Sequence, residues 1–374
     1  MTKFMPWLIW LVLTAVMILP RRWPVRRKLY AFAGAGLLIL PYHAMRFAVN
    51  TLCWWSPPRF FWLAAQFAYT CAVFLCGLGM LDWLLFPVMK RFPRVRRRTG
   101  GLRYRFLLAA VLSALGIGWS LCPPRVRAYE VELKNASGRA GGTLRIAAVS
   151  DLHFDPVYDH GYAARIVRKL NALKPDVILL LGDFSNTLNG LSPEVLAELK
   201  KLSAPEGVYA VTGNHEYYPE GQQNFQRLNR IGIAFLCNES AGVKQGQFFL
   251  AGINDPRAEH EYPAGPDRFE RTPLVRKAVK NVPPGKPLIL LAHQPKFLPF
   301  AAENHVDLQL SGHLHGGLFP GLNLGFSLIG AAPHGLYSEG HTRMIVSSGT
   351  GIWCGFPVRF CIPPEIVLVN VSVR

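Results

Sequence analysis

Four apolar stretches, residues 4–19, 29–45, 61–81 and 106–121, precede Ala128 and divide the chain into two parts that suit different solvents. A helix needs about 20 mostly apolar residues to cross a hydrocarbon core of ~30 Å, a length that 61–81 meets and the other three approach. Charge changes at the same place. Up to Arg127 there are 18 Lys and Arg and one acid, Asp82; from Ala128 onward there are 23 basic and 22 acidic residues. The excess that sets the pI near 9.9 therefore lies among apolar runs. The nearly neutral remainder lacks the basic surface that nucleic acid requires, so nucleic-acid binding is not expected.

Eight of the nine Trp also fall before Ala128, as expected for rings that favour a membrane interface. Basic residues cluster after the first stretch (Arg21, Arg22, Arg26, Arg27, Lys28) and after the third (Lys90, Arg91, Arg94, Arg96, Arg97, Arg98, Arg103, Arg105). Loops rich in Lys and Arg stay cytoplasmic, which predicts an anchor of about four transmembrane helices over 1–128 and a domain over 129–374 on the outer face of the membrane. Asp82 sits just past the third stretch, where water or Lys90 would solvate it. The seven cysteines show no CxxC pair at zinc-site spacing. Cys354 and Cys361 would pair only if that domain met an oxidising compartment.

Beyond Leu144, short apolar runs alternate with amphipathic ones. Residues 144–149, 177–181, 208–211, 288–291 and 306–310 have the length and composition of buried strands. Ala163, Ile166, Val167, Leu170 and Leu173 recur at helical spacing, and 193–202 and 222–228 suggest two further helices. Strands alternating with helices predict an α/β fold. The Gly- and Pro-rich stretches 316–325 and 331–335 are expected to be loops.

Each predicted strand runs into the same kind of sequence. The five sequels are Ser150-Asp151-Leu152-His153, Gly182-Asp183, Gly213-Asn214-His215-Glu216, Ala292-His293-Gln294 and Gly312-His313-Leu314-His315. Loops at the carboxyl ends of α/β strands share one crevice, so Asp151, His153, Asp183, Asn214, His293, His313 and His315 can converge although they are far apart in sequence. Mixed carboxylate and imidazole suits Mn, Zn or Fe, and seven such groups suffice for two ions sharing a carboxylate. Asp155, His160, Asn254, Asp255, His260, His334 and His341 are weaker candidates for the site's lining. Arg359 is suited either to an anionic substrate or to a surface ion pair.

In order and spacing these blocks resemble the calcineurin-like metallophosphoesterase superfamily. The closing segment, Ser348-Gly349-Thr350-Gly351-Ile352-Trp353 through Pro357-Val358-Arg359 to Pro363-Pro364-Glu365-Ile366, is similar to that of bacterial membrane-associated or exported phosphodiesterases. The resemblance implies a layered β-sandwich flanked by helices and a phosphoric ester hydrolase using two divalent metal ions. One ion would be held by Asp151, His153, Asp183 and His315, and the other by Asp183, Asn214, His293 and His313, with Asp183 bridging. His215 would contact the phosphate and protonate the leaving oxygen. The family's GDxxD pattern ends here in Asn186, which implies altered support or substrate contact rather than a lost ion. The expected substrate is a phosphodiester, pyrophosphate or phosphomonoester, lipid-linked or envelope-derived. The alternatives are a lipid-linked nucleotide-sugar pyrophosphatase and a non-catalytic membrane sensor or scaffold.

Overall fold

A computed structural model describes residues 24–51, 58–89, 91, 102–133, 142–186, 190–218, 221–258, 271–353 and 357–373. The chain divides into two compact units, the first built on the N-terminal helices through Leu121 and the second beginning at Cys122.

The first unit contains α1 (Val25–Thr51), α2 (Arg59–Met89) and α3 (Leu102–Ser120). Tyr42 of α1 stacks on Tyr69 of α2, with ring centroids 5.1 Å apart, and α2 also packs on α3. Among the described residues one helix segment, Arg59–Leu81, is long and apolar enough to cross a membrane. The stretches at 29–45 and 106–121 lie largely within α1 and α3, but Arg26, Arg27 and Lys28 open α1 and Pro41 falls inside it, while Arg103 and Arg105 open the 19-residue α3. The stretch at 4–19 lies outside the described residues, as do Cys53, His260 and Cys354.

The second unit holds two six-stranded sheets. The first sheet comprises β1 (Arg125–Leu133), β2 (Thr143–Val149), β3 (Val177–Leu180), β4 (Val208–Ala210), β5 (Ala234–Phe235) and β12 (Glu365–Val373), in the order β1-β12-β2-β3-β4-β5. The second comprises β6 (Glu239–Val243), β7 (Phe248–Gly252), β8 (Leu288–Leu291), β9 (Leu308–Ser311), β10 (Gly335–Glu339) and β11 (Thr342–Val346), in the order β10-β11-β9-β8-β7-β6. The expected boundary at 128/129 falls inside β1, which begins at Arg125.

The sheets stack through a common core. Ile146, Leu179 and Val369 from the first meet Leu250, Ile289, Leu291, Leu310 and Ile345 from the second. Burial of each such side chain is worth about 1.5–3 kcal/mol, which makes this interface the main source of the unit's stability. Helices cover the outer faces. In α4 (His160–Ala172) the buried positions are Tyr162, Ala163, Ile166, Val167 and Leu170, one stripe at helical spacing, and Asp159 caps the helix by accepting the Tyr162 N–H. In α5 (Pro193–Leu199) Ser192 caps the first turn and Pro193 occupies the position where a missing N–H costs nothing. The remaining helices are α6 (Gly221–Arg230), α7 (Arg271–Val279), α8 (Leu298–Glu303) and α9 (Pro320–Leu328). The last corrects the expectation of a loop over 316–325. Pro320 starts the helix, and Gly321 and Gly325 are tolerated within it.

Two features position the site. Strands β2, β3 and β4 are mutually parallel, as are β8 and β9, so their carboxyl ends lie together within each sheet. The convergence involves the rims of both sheets rather than one. Strands buried on both faces carry the same apolar signature in either arrangement.

Candidate metal centre

Asp151 and His153 follow β2, Asp183 follows β3, and Asn214 and His215 begin a short 3-10 turn, Asn214–Tyr217, after β4. The second sheet supplies His293 after β8, and His313 and His315 after β9. Five of these residues have left-handed backbones: Asp151 (φ 55°), His153 (φ 46°), Asp183 (φ 58°), His313 (φ 80°) and His315 (φ 49°). Such conformations are sparsely populated outside glycine, cost of order 1–3 kcal/mol each, and persist where the surroundings fix them. Here they turn consecutive side chains inward from the sheet ends.

The ligand atoms then come within a few ångströms of one another. His153 Nε2 lies 3.6 Å from Asp183 Oδ2, 4.0 Å from Asp151 Oδ1 and 3.2 Å from His315 Nε2. His315 Nε2 is 3.6 Å from Asp151 Oδ1. On the other side of Asp183, the same Oδ2 lies 3.3 Å from His293 Nε2, which is 3.2 Å from His313 Nδ1. Three sets have ligand atoms all within 4.8 Å of each other: Asp151, His153 and His315; His153, Asp183 and His215; and Asp183, His293 and His313. Asp183 belongs to two of them. Asn214 sits between Gly213 and His215, whose backbones both abut Asp183.

Neighbouring groups fix these side chains. Asp151 accepts the His313 N–H and the Ser150 hydroxyl, so the loops after β2 and β9 are locked together. Gly312 makes that approach possible, since a Cβ there would overlap Ser150 Oγ and Asp151. Asp183 Oδ1 accepts the His215 N–H at 2.8 Å. His293 Nδ1 lies 2.7 Å from the Leu181 carbonyl, to which it donates, leaving Nε2 turned toward Asp183. Asn186 donates to the His153 and Ile352 carbonyls, both at 3.2 Å, a bracing role that agrees with its place outside the ligand set.

Burial is nearly complete. Asp151, His153, Asp183 and His293 are each no more than 2 % exposed. Burial alone would raise the Asp183 carboxyl, but the charges of His293 and His215 hold it well below the usual carboxylate range. Asp151 is treated alike, with His315 and His293 overcoming its burial. Burial presses His153 well below the usual imidazole value, and His313 and His315 down to about 4. The lowered values on Asp151, Asp183, His153, His313 and His315 all favour the deprotonated forms, the ones that donate lone pairs to a cation. Burial works against a charge on His293, but Asp183 outweighs it and keeps that ring's pKa well above the ordinary value. A divalent cation between His293 and Asp183 would take the place of that proton.

Buried polar atoms without partners give a second test of fit. Asn214 Oδ1 and His153 Nδ1 are buried with no hydrogen-bond partner among the described residues. An orphaned carbonyl oxygen in the turn whose backbone abuts Asp183 is a group that a bound cation would satisfy. The residues present therefore fit divalent metal.

Of the weaker candidates, Asp155 caps its own turn through the Val157 and Tyr158 N–H groups, and His160 opens α4 at the surface. His341 lies in the β10–β11 turn beside His305, while His334 bonds Asn323 Nδ2. Asp255 is buried and accepts from Gln294, the residue after His293. Asn254 holds its N–H on Asn238. Arg359 departs from both expectations for it. It is fully buried, with its guanidinium donating to the carbonyls of Gly351 (2.6 Å) and Gly349 (3.2 Å) and lying 3.4 Å from His315 Nδ1. From there it meets neither solvent nor a surface acid; it ties the closing segment to the His315 loop.

Glu216 is a site residue that ligand chemistry alone does not mark. Its Oε2 accepts the N–H groups of Asp183 (2.9 Å) and Gly213 (2.7 Å), and its Oε1 accepts that of Phe184 (2.8 Å). Burial pushes its carboxyl up to about 7, and the Asp183 charge adds to the rise. The signal available in sequence was its place three residues after Gly213, within reach of that residue's N–H.

The sequence matches the calcineurin-like phosphoesterase family over residues 144–317. A metallophosphoesterase from Helicobacter pylori strain J99 is 32% identical over 282 residues, covering 73% of this chain and 72% of its own. A transmembrane protein with metallophosphoesterase domain from Danio rerio is 34% identical over 273 residues, 70% of this chain and 60% of that one. The UDP-2,3-diacylglucosamine pyrophosphatase LpxG of Chlamydia trachomatis is 28% identical over 278 residues, 61% of this chain and 83% of that one. With this extent of identity over most of both chains, and with the family's Asp and His blocks gathered where the rims of the two sheets meet, the chain belongs to the calcineurin-like metallophosphoesterases.

Proposed function

We propose that the chain is a membrane-anchored phosphoesterase that hydrolyses a phosphodiester or pyrophosphate with two divalent metal ions. The observation that carries this reading is Asp183 Oδ2, 3.3 Å from His293 on one side and 3.6 Å from His153 on the other. A carboxylate so flanked suits a bridge. Asp151, His153, Asp183 and His315 would hold one ion, and Asp183, Asn214, His293 and His313 the other. Such a pair, when bound, lowers the pKa of water and offsets negative charge on phosphoryl oxygens.

The protein's own groups then have distinct tasks. The buried carboxylates and imidazoles would hold the ions that meet the scissile phosphate, and their own burial fixes them in place. His215 is only partly buried, and its ring lies edge-on to His153 with centroids 4.6 Å apart. In this reading it contacts the phosphate and protonates the departing oxygen.

The division into an anchor over 1–128 and a catalytic domain over 129–374 belongs to the same proposal, with about four spans and the domain on the outer face. Anchoring confines the enzyme near an amphipathic, lipid-linked or envelope substrate. A second reading, a lipid-linked nucleotide-sugar pyrophosphatase, draws support from the similarity to LpxG and requires a cytoplasmic site. Detergent-purified full-length protein, assayed with Mn, Zn or Fe on bis-p-nitrophenyl phosphate, p-nitrophenyl phosphate and UDP-2,3-diacylglucosamine, separates the cases. Turnover of the first substrate supports the proposal, and turnover of the last alone supports the second reading. Absence of all metal-dependent turnover in metal-loaded protein would leave a sensor or scaffold.

A further inference from the structure

The unit that begins at Cys122 carries an unusual surface. Among its described residues the exposed large hydrophobic side chains are Leu322, Leu324, Leu328, Ile329 and Leu336. All of them fall on one short segment formed by α9, the turn after it and the start of β10. Leu328 and Ile329 are each 78% exposed. No residue of α9 is buried, whereas a helix packed on a globular core ordinarily buries one stripe. From Leu314 to Ser338 the sequence contains no Lys, Arg, Asp or Glu.

The helix is nonetheless fixed at its base. Asn323 Nδ2 donates to the Gly316 carbonyl at 3.0 Å and lies 3.0 Å from His334 Nδ1. Gly317 (φ 76°) and Leu318 (φ 65°) form the sharp turn that ends the His315 loop and starts the helix. A stiff apolar projection therefore begins within a few residues of a proposed metal ligand.

We infer that α9, with the turn through Ile329, inserts into the interface of a lipid bilayer and holds the metal cluster at a lipid surface. The composition favours lipid over protein. Protein interfaces combine aromatic and Arg anchors with a polar rim, whereas this surface is aliphatic and without formal charge. A bilayer is also at hand, because the same chain carries the membrane-length helix Arg59–Leu81. Lacking basic residues, the contact depends on buried apolar area alone and is indifferent to anionic lipid. The inference deepens the phosphoesterase reading, since it places the scissile phosphate of an amphipathic lipid beside His315, but the lipid contact itself is measured without turnover.

The test uses the full chain in nanodiscs of phosphatidylcholine, with p-benzoylphenylalanine placed at Leu328 or, as a control, at the exposed Lys200. After irradiation the peptide containing position 328 should gain the mass of a phospholipid and the one containing position 200 should not, with the same outcome when part of the lipid is phosphatidylglycerol. Capture of a second copy of the chain at 328, no lipid adduct there, or equal capture at both positions would overturn the inference. In the same nanodiscs the triple variant Leu324→Ser, Leu328→Ser, Ile329→Ser should lose turnover of a fluorescent diacyl phosphodiester by about tenfold or more while keeping that of bis-p-nitrophenyl phosphate, because only the first must be drawn from lipid. Equal loss on both would mean that the helix serves the metal site and not lipid. An inactive parent chain would count against the phosphoesterase reading alone, and the cross-link still decides the lipid contact.

Discussion

Glu216 accepts the backbone N–H of Asp183 at 2.9 Å, so one buried carboxylate holds the main chain of the residue whose own carboxylate joins the two halves of the cluster. Its other bonds, to Gly213 and Phe184, fasten the turns after β4 and β3 to each other. Replacement by Gln puts an NH2 group where a carboxylate oxygen accepted N–H donors. Each donor left unpaired in a buried site costs about 1–3 kcal/mol. Glu216→Gln should therefore lower stability by at least that amount and weaken metal retention, with every proposed ligand still present. Denaturant unfolding and metal analysis after dialysis check this, and an unchanged midpoint with full metal content would contradict it.

Gly312 provides a steric probe of the same site. An added Cβ meets Ser150 Oγ and the Asp151 carboxylate, which cannot yield without releasing the His313 N–H. Gly312→Ala should cost about 1–3 kcal/mol, as overpacking does elsewhere, and should reduce metal content by displacing Asp151. Thermal unfolding with and without added metal measures both effects.

His215→Ala is expected to separate chemistry from assembly. Removing a proton donor typically costs 10²–10⁴-fold, roughly the loss expected in kcat, while the other seven groups continue to hold metal. Turnover of bis-p-nitrophenyl phosphate and metal stoichiometry on the same preparation provide the check. Unchanged turnover would remove His215 from the mechanism.

A pH effect is expected away from the site. Asp307 accepts the Leu288 N–H at 2.8 Å, and burial raises its carboxyl despite that bond and the nearby His341. A carboxyl whose pKa is higher folded than unfolded binds its proton more tightly in the folded chain. Its favourable contribution is present at low pH and is lost as the pH rises through the raised value. Asp307→Asn keeps an acceptor for Leu288 without the charge, so the variant should be the more stable at neutral pH, with an advantage that shrinks toward acid. Urea midpoints across that range measure the difference, and a constant offset would contradict the assignment.

Much of the site was legible in the sequence because its chemistry falls at strand ends. Asp151, Asp183, Asn214, His293 and His313 each follow an apolar run, and such loops have few other reasons to carry Asp or His beside Gly. The pairing of strands was less legible. Val177–Leu180 and Leu288–Leu291 are buried on both faces, and nothing in a uniformly apolar run says which sheet it joins. Pro320–Leu328 was obscured by its glycines and by the lack of a polar face. Glu216 and Arg359 act on backbone groups that the topology brings close, a role that side-chain type does not announce. At the N-terminus, apolar length, Trp placement and basic loops suggested about four spans; in the described helices one, Arg59–Leu81, satisfies length and hydropathy together, since Pro41 lies inside α1 and basic residues open α1 and α3.

Metal stoichiometry of purified Asp183→Ala against the parent chain probes the shared carboxylate most directly. The parent should retain two divalent ions per chain after dialysis, and the variant should retain neither tightly, because each set loses a ligand at once. A variant that keeps both ions at parental affinity would show that Asp183 does not join them.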